Sequence, residues 1–333
     1  MRKLYQATLF AFTVILLAAC SAMPDTKEAY TQYAKRFNDN LNPIVHKLQR
    51  DDGRTLHVRE FGAIHRDKTP SFVLMHGFPD NQHLYDLLIT ELAQTHHVVS
   101  FDFLGWGYSD KPTNHNYEVQ SQRVDLETVI KGLNLNTVSL VVHDLSGQPG
   151  IDWALDNEAK ISELVLLNTY YHPMANLVAP DAIDFYATPG VLRDLARWGA
   201  NKSESRFKSG LSDQIGKFFS NPDSKAIFVP VFADFAPSIR PAFFSATAAL
   251  WSELANREKM IPRLKSFQKP VRVIFGENDP FLNPEIARQF SETFLNSCTS
   301  LIKNAGHYVQ LDNASAVRKA MLSVPKTGGS CLP

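Results

Sequence analysis

Five short, nearly continuous apolar runs, at residues 71–75, 98–103, 138–142, 163–167 and 271–275, constrain this chain more than any other feature. A strand buried on both faces needs such a run, whereas a sheet with one wet face alternates apolar with polar residues. Between the runs lie helical periodicities. Leu84, Leu87, Leu88 and Leu92 share one face, as do Val119, Leu126, Val129, Ile130 and Leu133, and later Val317, Ala320, Met321 and Val324. Strands alternating with helices predict an α/β fold with a mostly parallel, doubly wound sheet. Ahead of it, segments 44–48 and 55–61 flank Asp51-Asp52-Gly53, a hairpin signal. From Asn168 to about Pro270 the strand rhythm stops. Trp198, Trp251 and nine phenylalanines between Phe185 and Phe244 crowd a segment that reads as mostly helical. It is expected to cap the sheet's functional edge, with most of its aromatics in core packing and the rest lining a pocket.

Open α/β sheets gather their functional groups at the carboxyl ends of the strands. After the run Val138-Ser139-Leu140-Val141-Val142 comes His143-Asp144-Leu145-Ser146-Gly147. A sharp strand-to-helix turn that lifts its central side chain clear needs small residues two and three positions later, here Ser146 and Gly147. Reading the turn with Ser146 as nucleophile would put Asp144 and Gln148 at its small flanking positions, so Asp144 is the better candidate. Helix N-capping is the competing role for this aspartate when the turn is taken alone. Two later segments argue for catalysis. Gly276-Glu277-Asn278-Asp279-Pro280 follows the strand 271–275, and Asn304-Ala305-Gly306-His307 follows the short strand 300–303. Asp144, Asp279 and His307 thus stand at three strand ends in the chain order nucleophile, acid, base. Earlier, 72–75 runs into His76-Gly77-Phe78-Pro79-Asp80, a tight loop whose Phe78 N–H, with that of Leu145, would form an oxyanion hole.

These segments, together with Phe101-Asp102-Phe103-Leu104-Gly105-Trp106-Gly107-Tyr108-Ser109-Asp110-Lys111-Pro112, resemble the α/β-hydrolases of the epoxide hydrolase and haloalkane dehalogenase branch over roughly residues 44–325. The resemblance implies that the Asp144 carboxylate attacks an electrophilic carbon to form an alkyl-enzyme ester. His307 would then activate water, with Asp279 orienting it, and no cofactor or metal would be required. Glu277 is the alternative orienting acid but lies too early in its loop. Epoxide hydrolases of this branch protonate the ring oxygen with two cap tyrosines. The chain offers Tyr170, Tyr171 and Tyr186, with Trp251 where the second tyrosine is expected. Halide-holding groups would sit at the positions taken by Leu145 and Phe78, and the arginines of fluoroacetate-type enzymes are absent after Asp144. The expectation is therefore an epoxide hydrolase-like enzyme acting on a small apolar electrophile. A dehalogenase-like enzyme is the runner-up, and a non-catalytic binding or scaffold lipoprotein is the alternative of another class. The divisions expected are a signal peptide at 1–19, a tether at 20–42, core at 43–168, a helical cap at 169–265 and the second part of the core at 266–333.

The chain carries 34 basic and 34 acidic residues, a balance that argues against nucleic acid as a partner. Its N-terminus differs in character. Arg2-Lys3 precede an apolar stretch from Ala7 to Ala19, short for a membrane span and suited to a secretory signal. That stretch ends in Leu17-Ala18-Ala19-Cys20, which resembles the bacterial lipoprotein processing box. The resemblance implies lipid on Cys20, attachment to the membrane through it and, with Ser21 following, export to the outer membrane. A plain cleaved signal peptide is the competing reading. With Cys20 so used, Cys298 and Cys331 are left as a pair in an oxidising compartment, and a disulfide between them is expected.

Overall fold

The computed structural model describes Tyr33, Phe37 and residues 41–324 and 328–332. The signal segment, Cys20 and nearly all of the tether lie outside the described residues. In chain order the strands are β1 (Ile44–Gln49), β2 (Thr55–Phe61), β3 (Ser71–Met75), β4 (Val98–Phe101), β5 (Val138–Asp144), β6 (Ile161–Thr169), β7 (Val271–Gly276) and β8 (Ser297–Ile302). They form one eight-stranded sheet in the order β1-β2-β4-β3-β5-β6-β7-β8. The β1–β2 hairpin and the β2–β4 pair are antiparallel, and every later pairing is parallel. All five predicted apolar runs are strands. The run at 98–103 stops pairing at Phe101 because Asp102 turns inward, where its carboxylate accepts the N–H groups of Gln82 and Tyr108, both at 2.8 Å.

The helices of the core are α1 (Asp86–Leu92), α2 (Val119–Gly132) and α3 (Gly147–Asp156). Between β6 and β7 there are no strands, only α4 (Asp181–Ala187), α5 (Val191–Lys202), α6 (Glu204–Ile215), α7 (Pro222–Ala233), α8 (Ala236–Arg257) and α9 (Ile261–Ser266). The chain then returns through α10 (Pro284–Thr293), α11 (Val309–Asp312) and α12 (Ala314–Leu322). The predicted stripes hold except at their ends. Leu84 sits in a 3₁₀ turn before α1, and Leu133 is the residue after α2 although it stays buried. Val324 lies beyond α12 and is exposed. It precedes Pro325, and proline's ring pushes the residue before it out of helical geometry.

Cys298 on β8 is bonded to Cys331, with a Cα–Cα distance of 5.1 Å. The tail runs beside β8 there: the Gly328 N–H donates to the Ser297 carbonyl at 2.7 Å and the Thr299 N–H to the Gly329 carbonyl at 2.9 Å. It covers the outer backbone edge of the last strand, an edge that otherwise templates intermolecular pairing.

Candidate active site

Strand β5 ends on Asp144, whose φ is +49°. A non-glycine residue is strained in that region, and strain of this kind persists only where its surroundings hold it. The holders are local. Thr169 Oγ1 donates to the Asp144 carbonyl at 2.6 Å, and α3 begins so close to β6 that a Cβ on Gly147 would lie 2.0 Å from that same Thr169 oxygen. On the other side a Cβ on Gly77 would lie 2.7 Å from the Asp144 Cβ. Both glycines are there because two backbones meet the turn at contact distance. Ser146 is the third small residue and does not enter the site. Its fully buried Oγ accepts the His143 N–H at 2.8 Å and donates to the carbonyls of His143 and Met75 at 2.7 and 2.9 Å.

The Asp144 carboxylate is held by the two predicted donors. Oδ2 accepts the Phe78 N–H at 3.0 Å, and the Leu145 N–H also bonds to the carboxylate. Oδ1 faces His307 Nε2 at 3.8 Å. His307 Nδ1 donates to Asp279 Oδ2 at 2.8 Å, so the ring presents its other nitrogen to Asp144. Asp279 is fixed in turn. Its Oδ1 accepts the N–H groups of Phe281 and Leu282 at 2.9 and 3.1 Å, and its Oδ2 accepts Asn168 Nδ2 at 2.8 Å. Glu277 is exposed and plays no part. The structure thus brings together Asp144, Asp279, His307, Phe78 and Leu145, from four separate strand ends.

Electrostatics follow from enclosure. Burial pushes the Asp144 carboxyl above its ordinary range, against the pull of His307 and the two N–H groups. Burial alone would lower His307, but the charge and hydrogen bond of Asp279, with Asp144 and Asp80 behind them, raise it to about 9. Burial works against Asp279 as well, and His307 outweighs it, so that carboxyl falls below its usual range. The trio sets a histidine of raised pKa between a carboxyl that burial raises and one that its histidine partner lowers.

Sequence reasoning missed a layer behind this one. Asn168 joins β6 to β7, accepting the Gly276 N–H at 2.8 Å while donating to Asp279. Its one visible signal is its place at a strand end. His143 Nε2 donates to the His307 carbonyl at 3.0 Å, and Tyr308 donates its hydroxyl to Asp80 Oδ1. Burial raises Asp80 to about 7, opposed by the Tyr308 hydrogen bond. Nothing in the local sequence marks these residues as neighbours. They meet only through the register of the sheet.

Above the trio lies a cavity bounded by the sheet edge and by α4 and α8. Its walls are apolar: Leu177, Ile183, Phe218, Leu250, Leu254 and Phe281 among others. Besides Asp144 and His307, its polar side chains are Tyr170, Thr247 and Trp251, and the Thr247 hydroxyl is already donated to the Phe243 carbonyl at 2.8 Å. Two of the four predicted leaving-group candidates therefore reach the cavity and two do not. Side chains leaving a strand alternate, and while Tyr170 takes the cavity side, Tyr171 turns inward to donate to Asp152 at 2.5 Å. Tyr186 is on the wrong face of α4. Ile183 points into the cavity, and Tyr186 packs instead on Phe243 and Phe244, with ring centroids 5.6 and 5.2 Å away. Burial and the Asp144 charge hold the Tyr170 phenol well above its ordinary pKa, keeping its proton in place. No cluster of three or more His, Cys, Asp or Glu side chains able to hold a metal ion occurs among the described residues.

A cis-3-alkyl-4-alkyloxetan-2-one decarboxylase from Shewanella oneidensis is 32% identical over 134 residues, a match spanning 39% of this chain and only 41% of that relative. Epoxide hydrolase 3 from Xenopus tropicalis is 23% identical over 92% of this chain and 88% of its own length. A haloalkane dehalogenase from Mycolicibacterium paratuberculosis is 26% identical over 76% of this chain and 83% of its own. Among solved structures, an epoxide hydrolase superposes with a TM-score of 0.65 at 20% identity, covering 84% of this chain and 97% of that one. With a family model described as alpha/beta hydrolase fold matching residues 70–314, the chain belongs to the alpha/beta hydrolase fold family.

Proposed function

We propose that this protein is a hydrolase in which Asp144 is a covalent nucleophile toward an electrophilic carbon of a small apolar substrate, epoxide first. One observation carries the reading: the Asp144 carboxylate receives the N–H groups of Phe78 and Leu145 while its Oδ1 faces His307 Nε2 at 3.8 Å. In the first step Oδ1 bonds to the substrate carbon as the carbon's bond to its leaving oxygen breaks. Tyr170 is the cavity hydroxyl able to donate a proton to the departing alkoxide. Esterification removes the Asp144 charge that helps hold the proton on His307, so the ring gives up its Nε2 proton, which restores the Tyr170 hydroxyl, and the neutral imidazole is the base for the second step. His307 Nε2 then takes a proton from water, the water oxygen adds to the Asp144 carbonyl carbon, and the oxyanion on Oδ2 rests on the two N–H groups. Losing one such donor typically costs about 2.7–4 kcal/mol. Collapse of the intermediate releases the alcohol, which takes that proton from His307, and the acid left on Asp144 passes its own proton to His307, returning the carboxylate and the imidazolium.

Two observations bear on the substrate. The decarboxylase relative is named for a dialkyl oxetan-2-one, a strained oxygen ring with apolar substituents, and the apolar cavity suits that class. The absence of Tyr186 from the cavity lining and the presence of Trp251 favour a dehalogenase-like second reading, in which the indole N–H holds a halide. We also propose export and lipid attachment at Cys20, supported by Leu17-Ala18-Ala19-Cys20 and by the bonded Cys298–Cys331 pair. A Cys20→Ala variant is expected to leave the processed membrane fraction.

The test of the catalytic reading is a His307→Gln variant offered separate epoxide and haloalkane mixtures and weighed intact. An adduct equal in mass to the added alkyl group, mapped to Asp144, supports it and identifies the class. If neither mixture leaves an adduct and neither is turned over by the parent protein, the chain is a binding or scaffold member of its family.

A further inference from the structure

The cap helix α5 carries a stripe that the fold does not use. Val191, Leu192, Leu195 and Trp198 recur on one face and are 76, 75, 60 and 65% exposed, while the helix buries only Ala200. Phe185 on α4 borders the same surface beside Leu192 and is itself 40% exposed. Isolated exposed apolar residues are ordinary, but a contiguous patch on one helix marks an interaction surface. We propose that this face of α5 docks on a lipid bilayer.

Three features select a bilayer over other occupants. The first is the composition of the helix, an apolar face with a tryptophan at one end and cations beside it, the pattern of helices that lie in a membrane interface. The second is charge. Residues 191–208 hold five basic side chains against two acidic ones. Those two are engaged: Asp194 pairs with Arg193 and Glu204 with Arg240, each at 2.8 Å. Arg197 lays its guanidinium over the Phe244 ring, 5.3 Å from its centroid, while Lys202 and Arg206 make no ion pair among the described residues, leaving those two to meet anionic headgroups. Asp181 and Asp184 on α4 lie near Leu192, so apolar insertion leads and charge assists. The third is reach. Tyr33 is packed on the cap helix α7, its ring 5.0 Å from that of Phe228, so the reach is counted from Cys20 to Tyr33, at most about 45 Å of extended chain, more than twice the roughly 19 Å radius of gyration of a folded unit of this size. A lipid on Cys20 would keep a bilayer within range of the cap. No single helix among the described residues is long and apolar enough to cross a membrane, which fits contact at the surface.

The docking face also adjoins a route inward. Leu195 lines a groove with Phe207, Leu211 and Phe243, and Ile183 lines both that groove and the catalytic cavity. An apolar substrate dissolved in the bilayer would meet the groove first and then Ile183, without crossing water.

The experiment uses the full chain with Leu195→Cys. Cys298 and Cys331 are bonded and Cys20 is committed to lipid on the export proposal, so position 195 supplies the thiol that takes an environment-sensitive fluorophore. Ile64→Cys, 76% exposed against 60% at Leu195 and on the core, is the control. Both proteins are reconstituted into vesicles of phosphatidylethanolamine and phosphatidylglycerol. Docking predicts that the probe at 195 is quenched by lipids brominated on their acyl chains and shielded from aqueous iodide, while the probe at 64 is not. Adding Leu192→Asp should raise iodide access at 195 by about threefold or more, the change expected from losing one buried apolar side chain. Equal iodide access at 195 and 64 would overturn the proposal. So would shielding at 195 that disappears on dilution and accompanies disulfide-linked dimers of the unlabelled Leu195→Cys protein, since the face would then belong to a second copy. None of these readouts involves Asp144, so the docking and catalytic readings fail separately.

Discussion

The floor of the cavity is made of strand ends and its roof of helices, and the two fix a side chain with very different force. On the floor, the functional residues lie at or just beyond the carboxyl ends of β3, β5, β7 and β8, the first three of which are paired on both sides, and the turn at Asp144 is gripped further by contacts that admit no larger residue at Gly77 and Gly147. On the roof, a rotation of α4 by a fraction of a turn exchanges Ile183 for Tyr186 at the cavity wall. Chemistry that needs tolerances of tenths of an ångström belongs on the floor, and variation in substrate belongs on the roof.

The sharpest way to break this comparison is to remove the floor's central group. Asp144→Asn is expected to lower turnover by about 10⁴-fold or more, with a melting temperature close to that of the parent, because amide and carboxylate have nearly the same shape. Steady-state assays beside a thermal melt would check both halves. Also on the floor, directly after β6, Tyr170→Phe is expected to slow epoxide opening by about 10²-fold, the usual size of a general-acid contribution, and to leave haloalkane turnover little changed. Tyr186→Phe and Tyr171→Phe should stay within about twofold, since neither hydroxyl meets the cavity. If Tyr186→Phe is as damaging as Tyr170→Phe, the cap moves in solution and the roof has more than one arrangement.

Asn168 sharpens the contrast from the floor side. Losing a hydrogen bond to a charged group is worth about 1.5–3 kcal/mol, so Asn168→Ala should cost about 10- to 100-fold in kcat with little change in KM. The acidic limb of its pH profile should also shift as Asp279 loses a partner. The smallest effect expected is on stability. The His307 pKa is raised from 6.5 to about 9 in the folded protein, so its contribution is present in full below pH 6.5 and is lost as pH rises through about 9. Melting temperatures should therefore decline across that window in the parent and decline less in His307→Gln.

Much of the floor was legible because the signals are local. An apolar run, a turn and a reactive residue adjoin one another in sequence at Asp144, Asp279 and His307, and the small residues after Asp144 report the close passage of α3. The distinction between Asp144 and Ser146 also lay in that spacing. Asn168, Asp80, His143 and Tyr308 were not legible as partners because pairs such as Asp80 and Tyr308 are 228 residues apart and meet only through sheet register. The cap was legible as helix and aromatic-rich but not as a surface. Helical periodicity says that a face exists without saying which way it turns, so Tyr186 is expected near the leaving group when it packs within the cap, and Tyr171, just past β6, is expected there when it alternates into the body of the fold. Nor did the sequence reveal that Leu192, Leu195 and Trp198 are left uncovered.

The central claim is that water attacks the enzyme and not the substrate, and isotope placement tests it most directly. Turnover of an epoxide or haloalkane in oxygen-18 water, followed by digestion and mass measurement of the peptide carrying Asp144, should show label accumulating in that carboxylate over repeated cycles. The product of a first single turnover should carry an unlabelled oxygen drawn from Asp144. Label in the first-turnover product with none in the Asp144 peptide would mean that water reaches the substrate directly, and would contradict the covalent role assigned here.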